Sequence, residues 1–110
     1  MAQPYLDQLQ QLVSTQTNIP EEATCKHFFS GAALYINKKI CATLSPKGLA
    51  FKLPVARCED IIARCKAHPL QYFENSPVKR GYVLFPEYEQ LSSSEISGFF
   101  EECVAYTEII

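Results

Sequence analysis

The chain lacks the sequence features that mark a membrane or secreted protein. No apolar run approaches the roughly 20 residues that a membrane-spanning helix needs. Residues 1–7 contain neither a basic segment nor the apolar segment with which a secretory signal continues. We therefore expect a cytoplasmic protein that makes no contact with a membrane.

Cysteine is present but lacks the spacing of a metal site or a disulfide framework. The five cysteines are an odd number, and no C-x-x-C or Cys/His ligand pattern occurs among them. Cys58 and Cys65, seven positions apart, would share one face of a helix, where cysteine behaves as a small hydrophobe. We therefore predict reduced core thiols, no metal and no cofactor.

Side-chain sets for catalysis are also absent from the sequence. His27 and His68 are the two histidines, and neither has partners that would make it an acid or base. His68 precedes a proline, so we predict that it lies at the end of a helix, and His27 falls on one face of a strand pattern. No Gly-x-Ser-x-Gly elbow or glycine-rich phosphate loop occurs. These observations favour a protein that is not an enzyme.

Length and charge predict one domain with an uneven charge distribution. The 110 residues, 47% of them hydrophobic, suffice for one core, so we expect residues 1–110 to form a single domain. Residues 1–66 hold eight basic against five acidic residues, a net charge of +3. Residues 67–110 hold two against seven, a net charge of −5. Such asymmetry is typical of an anion-facing surface, or of halves that attract each other within a fold or a dimer.

The hydrophobic periodicity predicts an α+β fold. Helical spacing marks the N-terminus, the middle and the C-terminus of the chain, and alternating or short apolar runs lie between these segments. We expect one antiparallel or mixed sheet of about six strands, covered by the three helices. The predicted helices are residues 3–13, 54–67 and a C-terminal helix after residue 92, and the predicted strands are residues 24–30, 32–36, 40–44, 49–53, 70–73 and 81–85.

The C-terminal helix contains a candidate cap at its start and a glycine in its interior. The run Ser92-Ser93-Ser94-Glu95 offers a serine cap with a carboxylate in the first turn of the helix. Gly98 lies inside the same helix, where glycine costs about 1 kcal/mol relative to alanine. We predict that close packing against a neighbouring element is the reason for this glycine.

Basic residues are the feature of the sequence that could carry binding. They alternate with aromatic residues, as in surfaces on which nucleic-acid bases stack, although strand lysines also commonly protect sheet edges. A pocket that uses Tyr35, Lys52 and Tyr82 to hold a small ligand is a further alternative. The predicted basic face consists of Lys26, Lys38, Lys39, Lys52, Lys79 and Arg80.

Three segments resemble the TfoX N-terminal domain family. They are the run KHFFSGAALY at residues 26–35, the run LAFKLP at 49–54 and the run PVKRGYV at 77–83. The match extends over nearly the whole chain, although Ser30, Ala33 and Ala50 depart from the family pattern. The positions that match the family pattern, and that we expect to be structural, include Gly31, Tyr35, Gly81 and Tyr82.

The resemblance implies a small α+β domain that is found alone in bacteria or fused to a second domain in regulators of DNA-uptake competence. We expect the N-terminal type alone, because 110 residues leave no room for the second module. We therefore predict a non-enzymatic interaction domain that contacts a protein partner and forms a homodimer. The alternatives are a nucleic-acid-binding module that uses the lysine-rich strands, and a domain that binds a small ligand.

Overall fold

A computed structural model of the chain describes residues 3–16, 19–20, 22–28, 31–64, 67–70 and 79–109. These residues form three helices, six strands and a short 3₁₀ turn at Tyr88–Gln90. The helices are α1 (Gln3–Ser14), α2 (Val55–Arg64) and α3 (Ser93–Ile109). The strands are β1 (Thr24–Phe28), β2 (Gly31–Ile36), β3 (Lys39–Ser45), β4 (Gly48–Lys52), β5 (His68–Leu70) and β6 (Lys79–Phe85).

The six described strands belong to one sheet in the order β1-β2-β3-β4-β6-β5. Every neighbouring pair in this sheet is antiparallel, which confirms the predicted α+β fold and excludes the mixed alternative. The predicted pairing of the last two strands is also confirmed. That pair joins the sheet through β6, which lies beside β4.

The first four strands form the predicted meander. Asn37 and Lys38 connect β2 to β3 with φ angles of 52° and 67°. Positive φ at both central residues is the geometry of a two-residue hairpin turn that matches the twist of the strands, and asparagine tolerates it well. The tight turn starts β3 at Lys39, one residue earlier than the apolar pattern predicts.

A β-bulge interrupts the pairing of β2 with β3. Leu34 lies opposite Ala42, whereas the next residue, Tyr35, lies opposite Ile40. Cys41 is therefore an extra residue without a cross-strand partner. Because the bulge breaks the alternation, Cys41 and Ala42 are adjacent in sequence and both fully buried in the main core.

The core lies between one face of the sheet and the three helices. Its centre is Phe51 of β4, which is fully buried. The Phe51 ring packs edge-on against Phe100 of α3, with ring centroids 5.1 Å apart, and also contacts Phe99 and Phe85 at 5.6 and 6.1 Å. Aromatic pairs in such geometries add about 0.5–1.5 kcal/mol each beyond the burial of their area. These rings hold α3 on β4 and β6.

Polar contacts define the start and the packing of α3. The Glu95 backbone N–H donates to Ser92 Oγ at 3.1 Å, and the Ser92 N–H donates to Glu95 Oε1 at 2.9 Å. The predicted serine cap is confirmed, and the structure assigns it to Ser92, whose reciprocal pair with Glu95 is a capping box.

Farther along, Arg57 of α2 donates from Nε and Nη2 to the two carboxylate oxygens of Glu102, at 2.7 and 2.9 Å. This bidentate ion pair joins α2 to α3.

The prediction for the end of the middle helix was wrong. The helix ends at Arg64, and residues 65–66 lie outside the described residues. His68 and Pro69, expected to stop the helix, instead belong to β5, where His68 lies opposite Leu84. Proline is compatible with this position because β5 is an edge strand, where one side of the backbone needs no ladder partner. Of the strand predicted at 70–73, Leu70 lies in β5, and residues 71–73 lie outside the described residues.

Gly31 and Gly98 have different structural roles. A Cβ added at Gly31 would collide with the backbone carbonyl oxygen of Leu44 and lie 2.8 Å from the Cα of Ser45. Close approach of two strands therefore requires glycine at position 31. At Gly98 a Cβ would meet no other atom within 4 Å, so the prediction of close packing at Gly98 was wrong.

Replacing Gly98 with alanine should raise the free energy of unfolding by about 1 kcal/mol, because alanine loses less backbone entropy in a helix. Urea titration followed by circular dichroism measures the change. Ala105→Gly is the matched reverse substitution, since Ala105 is an exposed residue of the same helix; it should lower stability by a similar amount. Equal or lower stability of Gly98→Ala would contradict this account.

Replacing Gly31 with alanine should lower the free energy of unfolding by about 1–3 kcal/mol, because the added methyl group forces β2 away from β3. The same urea titration applies. Gly98→Ala is the control for the chemical change itself, since it adds the same methyl group where space is free. An unchanged midpoint for Gly31→Ala would show that the strands separate without cost.

Candidate functional site

Side-chain alternation places four of the predicted residues on the sheet face that points away from the main core. Lys26 lies opposite Ala33, and Lys52 lies opposite Tyr82. The neighbours of these residues along each strand, including Leu34, Phe51 and Val83, are buried in the core beneath the helices. Successive side chains of a strand point to opposite faces, so Lys26, Tyr35, Lys52 and Tyr82 share the other face. We call this set the lysine–tyrosine face.

Each lysine of this face lies over a tyrosine ring. Lys26 Nζ is 5.9 Å from the centroid of the Tyr35 ring, and Lys52 Nζ is 5.9 Å from that of Tyr82. Cation–π contacts of this length contribute about 0.5–1 kcal/mol at exposed sites. Within the described part of the chain, neither ammonium group lies within 4.0 Å of a carboxylate. Both positive charges are therefore open to pairing with a negatively charged partner.

Small residues lie between the two lysine–tyrosine pairs. Ala33, Thr43 and Ala50 face the same side and are at most 2% exposed. Beside them Ala50, Leu70 and Leu84 form a second, smaller apolar cluster, against which Tyr82 packs. Because these small side chains are buried, they offer no accessible surface of their own, whereas Lys26 on the same face is exposed.

A surface cavity of about 410 Å³ lies at the β1 side of the face. Three of its lining residues, Lys26, Tyr35 and Lys38, were predicted from the sequence, and the structure brings them together from two strands and a hairpin turn. Two ammonium groups against one carboxylate make the lining cationic. The remaining lining residues are Glu22, Thr24 and Asn37.

The other predicted basic residues are arranged differently. Lys39 is the half-buried first residue of β3. Lys79 and Arg80 are the first two residues of β6, but their side chains lie outside the described part of the structure. Gly81 has a structural role: its φ is 85°, and its carbonyl oxygen accepts a hydrogen bond of 2.9 Å from the Leu53 N–H.

The alternative of a pocket formed by Tyr35, Lys52 and Tyr82 requires all three side chains around one cavity. The 410 Å³ cavity is lined by Tyr35 but by neither Lys52 nor Tyr82. Instead, Lys52 and Tyr82 form a cross-strand pair of their own. The geometry therefore favours an extended surface over a pocket built from these three residues.

A second cavity, of about 520 Å³, lies where the end of α2, the end of β6 and the start of α3 meet. The sequence did not predict this cavity, because its residues come from α2, β6, the 3₁₀ turn, α3 and the segments between them, and they follow no shared spacing. Two of its charged side chains already have partners, since Glu95 caps α3 and Arg64 Nε pairs with Asp60 at 2.8 Å. Its lining is Ala63, Arg64, Phe85, Glu87, Gln90, Leu91, Glu95 and Phe99.

The histidines lie apart from these cavities, and His68 occupies an edge strand instead of the predicted helix end. Among the residues that the structure describes, no group of three His, Cys, Asp or Glu side chains could hold a metal ion. The described helices also include none long and apolar enough to cross a membrane.

The cysteines within the described ranges are free, namely Cys25, Cys41, Cys58 and Cys103. Burial raises the pKa of the Cys25 thiol, and it also raises that of Cys58. Cys41 and Cys103, 62 positions apart in the sequence, have their Sγ atoms 3.0 Å apart in the core. No spacing rule could have predicted this contact, because it depends on how α3 packs on β3.

The chain matches no family model, no curated protein and no solved structure. The resemblance to TfoX N-terminal domains therefore stays a prediction.

Proposed function

We propose that this chain is a non-enzymatic, TfoX-like interaction domain that binds a protein partner through the lysine–tyrosine face. The observation that carries the proposal is the convergence of Lys26, Tyr35, Lys52 and Tyr82, from four strands, on the face away from the main core. We further propose, from the family resemblance, that the domain acts in the regulation of DNA-uptake competence, and, from the sequence of its N-terminus, that it is cytoplasmic.

Charge favours a second copy of the chain as the partner. The ammonium groups of Lys26 and Lys52 have no carboxylate within 4.0 Å among the described residues. Residues 67–110 carry seven acidic against two basic residues. Opposite charges on two surfaces of the same chain speed its association with another copy and orient the contact. We therefore propose a homodimer in which the lysine–tyrosine face of one protomer meets acidic surface of its partner.

Single-stranded nucleic acid is the second candidate partner, and the cation–π geometry is the observation that favours it. Lysine over tyrosine at 5.9 Å presents a ring for stacking beside a charge for a phosphate. The two pairs lie on β1–β2 and β4–β6, with β3 between them. Neighbouring strands lie about 4.8 Å apart, so the two pairs, which are three strand spacings apart, are separated by roughly 14 Å.

Light scattering across micromolar concentrations tests the first proposal. We expect a mass near twice 12.4 kDa. The double variant Lys26→Glu/Lys52→Glu should weaken dimerisation at least about tenfold, because it places like charges at the contact. Lys47→Glu reverses one charge in the same way at the turn between β3 and β4, outside the lysine–tyrosine face and its cavity, and should leave the mass unchanged. A monomeric wild-type protein at every concentration would overturn the homodimer.

Fluorescence anisotropy with single- and double-stranded DNA, at low and then physiological salt, tests the second candidate on the same samples. Binding that falls steeply with salt and is lost in Lys26→Glu/Lys52→Glu would support nucleic acid as the partner. If low-salt titrations show no binding while the mass is dimeric, the nucleic-acid candidate is excluded. A monomer that binds no DNA would overturn both proposals.

A further inference from the structure

Cys41 of β3 and Cys103 of α3 form a buried dithiol. Both side chains are fully buried, and their Sγ atoms lie 3.0 Å apart. A disulfide bond is about 2.05 Å long, so the sulfur atoms need to move only about 1 Å closer to form one. The proposed partner binding uses neither of these thiols.

The β-bulge is what places Cys41 against Cys103. Regular alternation would give Ala42 and Cys41 opposite faces, and Cys41 would then point away from α3. Because Cys41 is the extra residue between Ile40 and Ala42, its side chain stays in the core together with that of Ala42. Bulges of this kind redirect a single side chain without ending the strand.

The surroundings make the two thiols chemically unequal. A hydrogen bond with Cys103 lowers the pKa of the Cys41 thiol, and this effect outweighs the opposing effect of burial. The Thr107 hydroxyl and the Lys52 ammonium lower the same pKa further, whereas the Glu108 carboxylate raises it. For Cys103, burial and the neighbouring Cys41 raise the pKa well above its usual range. Cys41 is therefore the thiol of the pair that ionises first, and the thiolate is the reactive form of cysteine.

We propose that Cys41 and Cys103 are an oxidation site that reacts with hydrogen peroxide and closes to an intramolecular disulfide. The Cys41 thiolate attacks one peroxide oxygen, the O–O bond breaks, and hydroxide leaves and takes up the proton that Cys41 released. Cys41 then carries a sulfenic acid. This step consumes one peroxide and yields one water.

Cys103 completes the reaction. It loses its proton, its sulfur attacks the Cys41 sulfur, and the S–O bond breaks as the S–S bond forms. The departing hydroxide combines with the proton from Cys103 to give a second water. Two thiols are thereby oxidised by two electrons while the peroxide is reduced to two waters. The product would tie α3 covalently to the centre of the sheet.

The other described cysteines are suitable comparisons. Cys58 is buried and has Leu53 O as its sulfur contact, at 3.5 Å. Burial is the main cause of its raised pKa, so the thiolate is disfavoured there. Cys25 is half-buried on β1, and its pKa is likewise raised by burial. We therefore expect oxidation to select the pair of Cys41 and Cys103.

Peptide mapping tests the proposal directly. The reduced full-length chain is treated with hydrogen peroxide in native buffer, free thiols are alkylated, and the sample is digested with trypsin without reduction. Cleavage after lysine and arginine separates the five cysteines into different peptides, with Cys41 in residues 40–47 and Cys103 in residues 81–110. We expect a link between these two peptides, a loss of two hydrogens in the intact mass, and recovery of both thiols on reduction.

The variants and the thermal midpoint provide the controls. Cys58→Ser should form the same link, whereas Cys41→Ser should form none. Because the bond closes a long loop, the oxidised wild-type protein should also melt at least about 5 °C higher than the reduced protein. A different pairing, a link that forms only in denaturant, or stable sulfinic acid without a link would each overturn the proposal. The mapping uses the wild-type chain, so it does not depend on whether the variants fold.

Discussion

The burial of Phe51 beneath α3 is the constraint on which the rest of the structure depends. Its ring contacts Phe85, Phe99 and Phe100 and so joins β4, β6 and α3. Since side chains alternate along a strand, a buried Phe51 leaves Lys52 on the opposite face. The register of the paired strands relates the facing of Lys52 to that of the other strands. It therefore determines that Lys26, Tyr35 and Tyr82 lie on the same side of the sheet as Lys52. The surface chemistry of this domain is thus a consequence of its core.

The bulge in β3 interrupts the regular alternation of side chains and so brings a second chemical group, a thiol, into the core. On either side of it the meander follows strict antiparallel pairing. At the bulge an additional thiol enters the core and meets α3. The same helix thus holds the aromatic centre through Phe99 and Phe100 and places Cys103 beside Cys41 one turn later. The lysine–tyrosine face and the dithiol lie on opposite sides of the sheet, and the Lys52 ammonium is close enough to lower the pKa of Cys41.

Local sequence signals predicted most of the fold. The serine cap before Glu95, the turn at Asn37 and the apolar stripes each depend on residues within a few positions of one another, and the structure contains all of them. The errors came from tertiary context. Pro69 reads as a helix stop, yet an edge strand accommodates it. Gly98 suggested a close neighbour, yet its surroundings are open. Neither environment is encoded in adjacent residues.

By itself, the sequence determined the order of the elements, the period of each and hence which side chains of one strand share a face, because these properties follow from backbone geometry. Only the tertiary structure decided that the lysines and tyrosines of four strands share a face, that Lys26 and Lys38 line one cavity, and that Cys41 meets Cys103. Such contacts depend on register, on a single inserted residue and on the packing of a helix more than sixty positions away. These contacts depend on long-range packing of the whole chain, which cannot be predicted from a local sequence pattern.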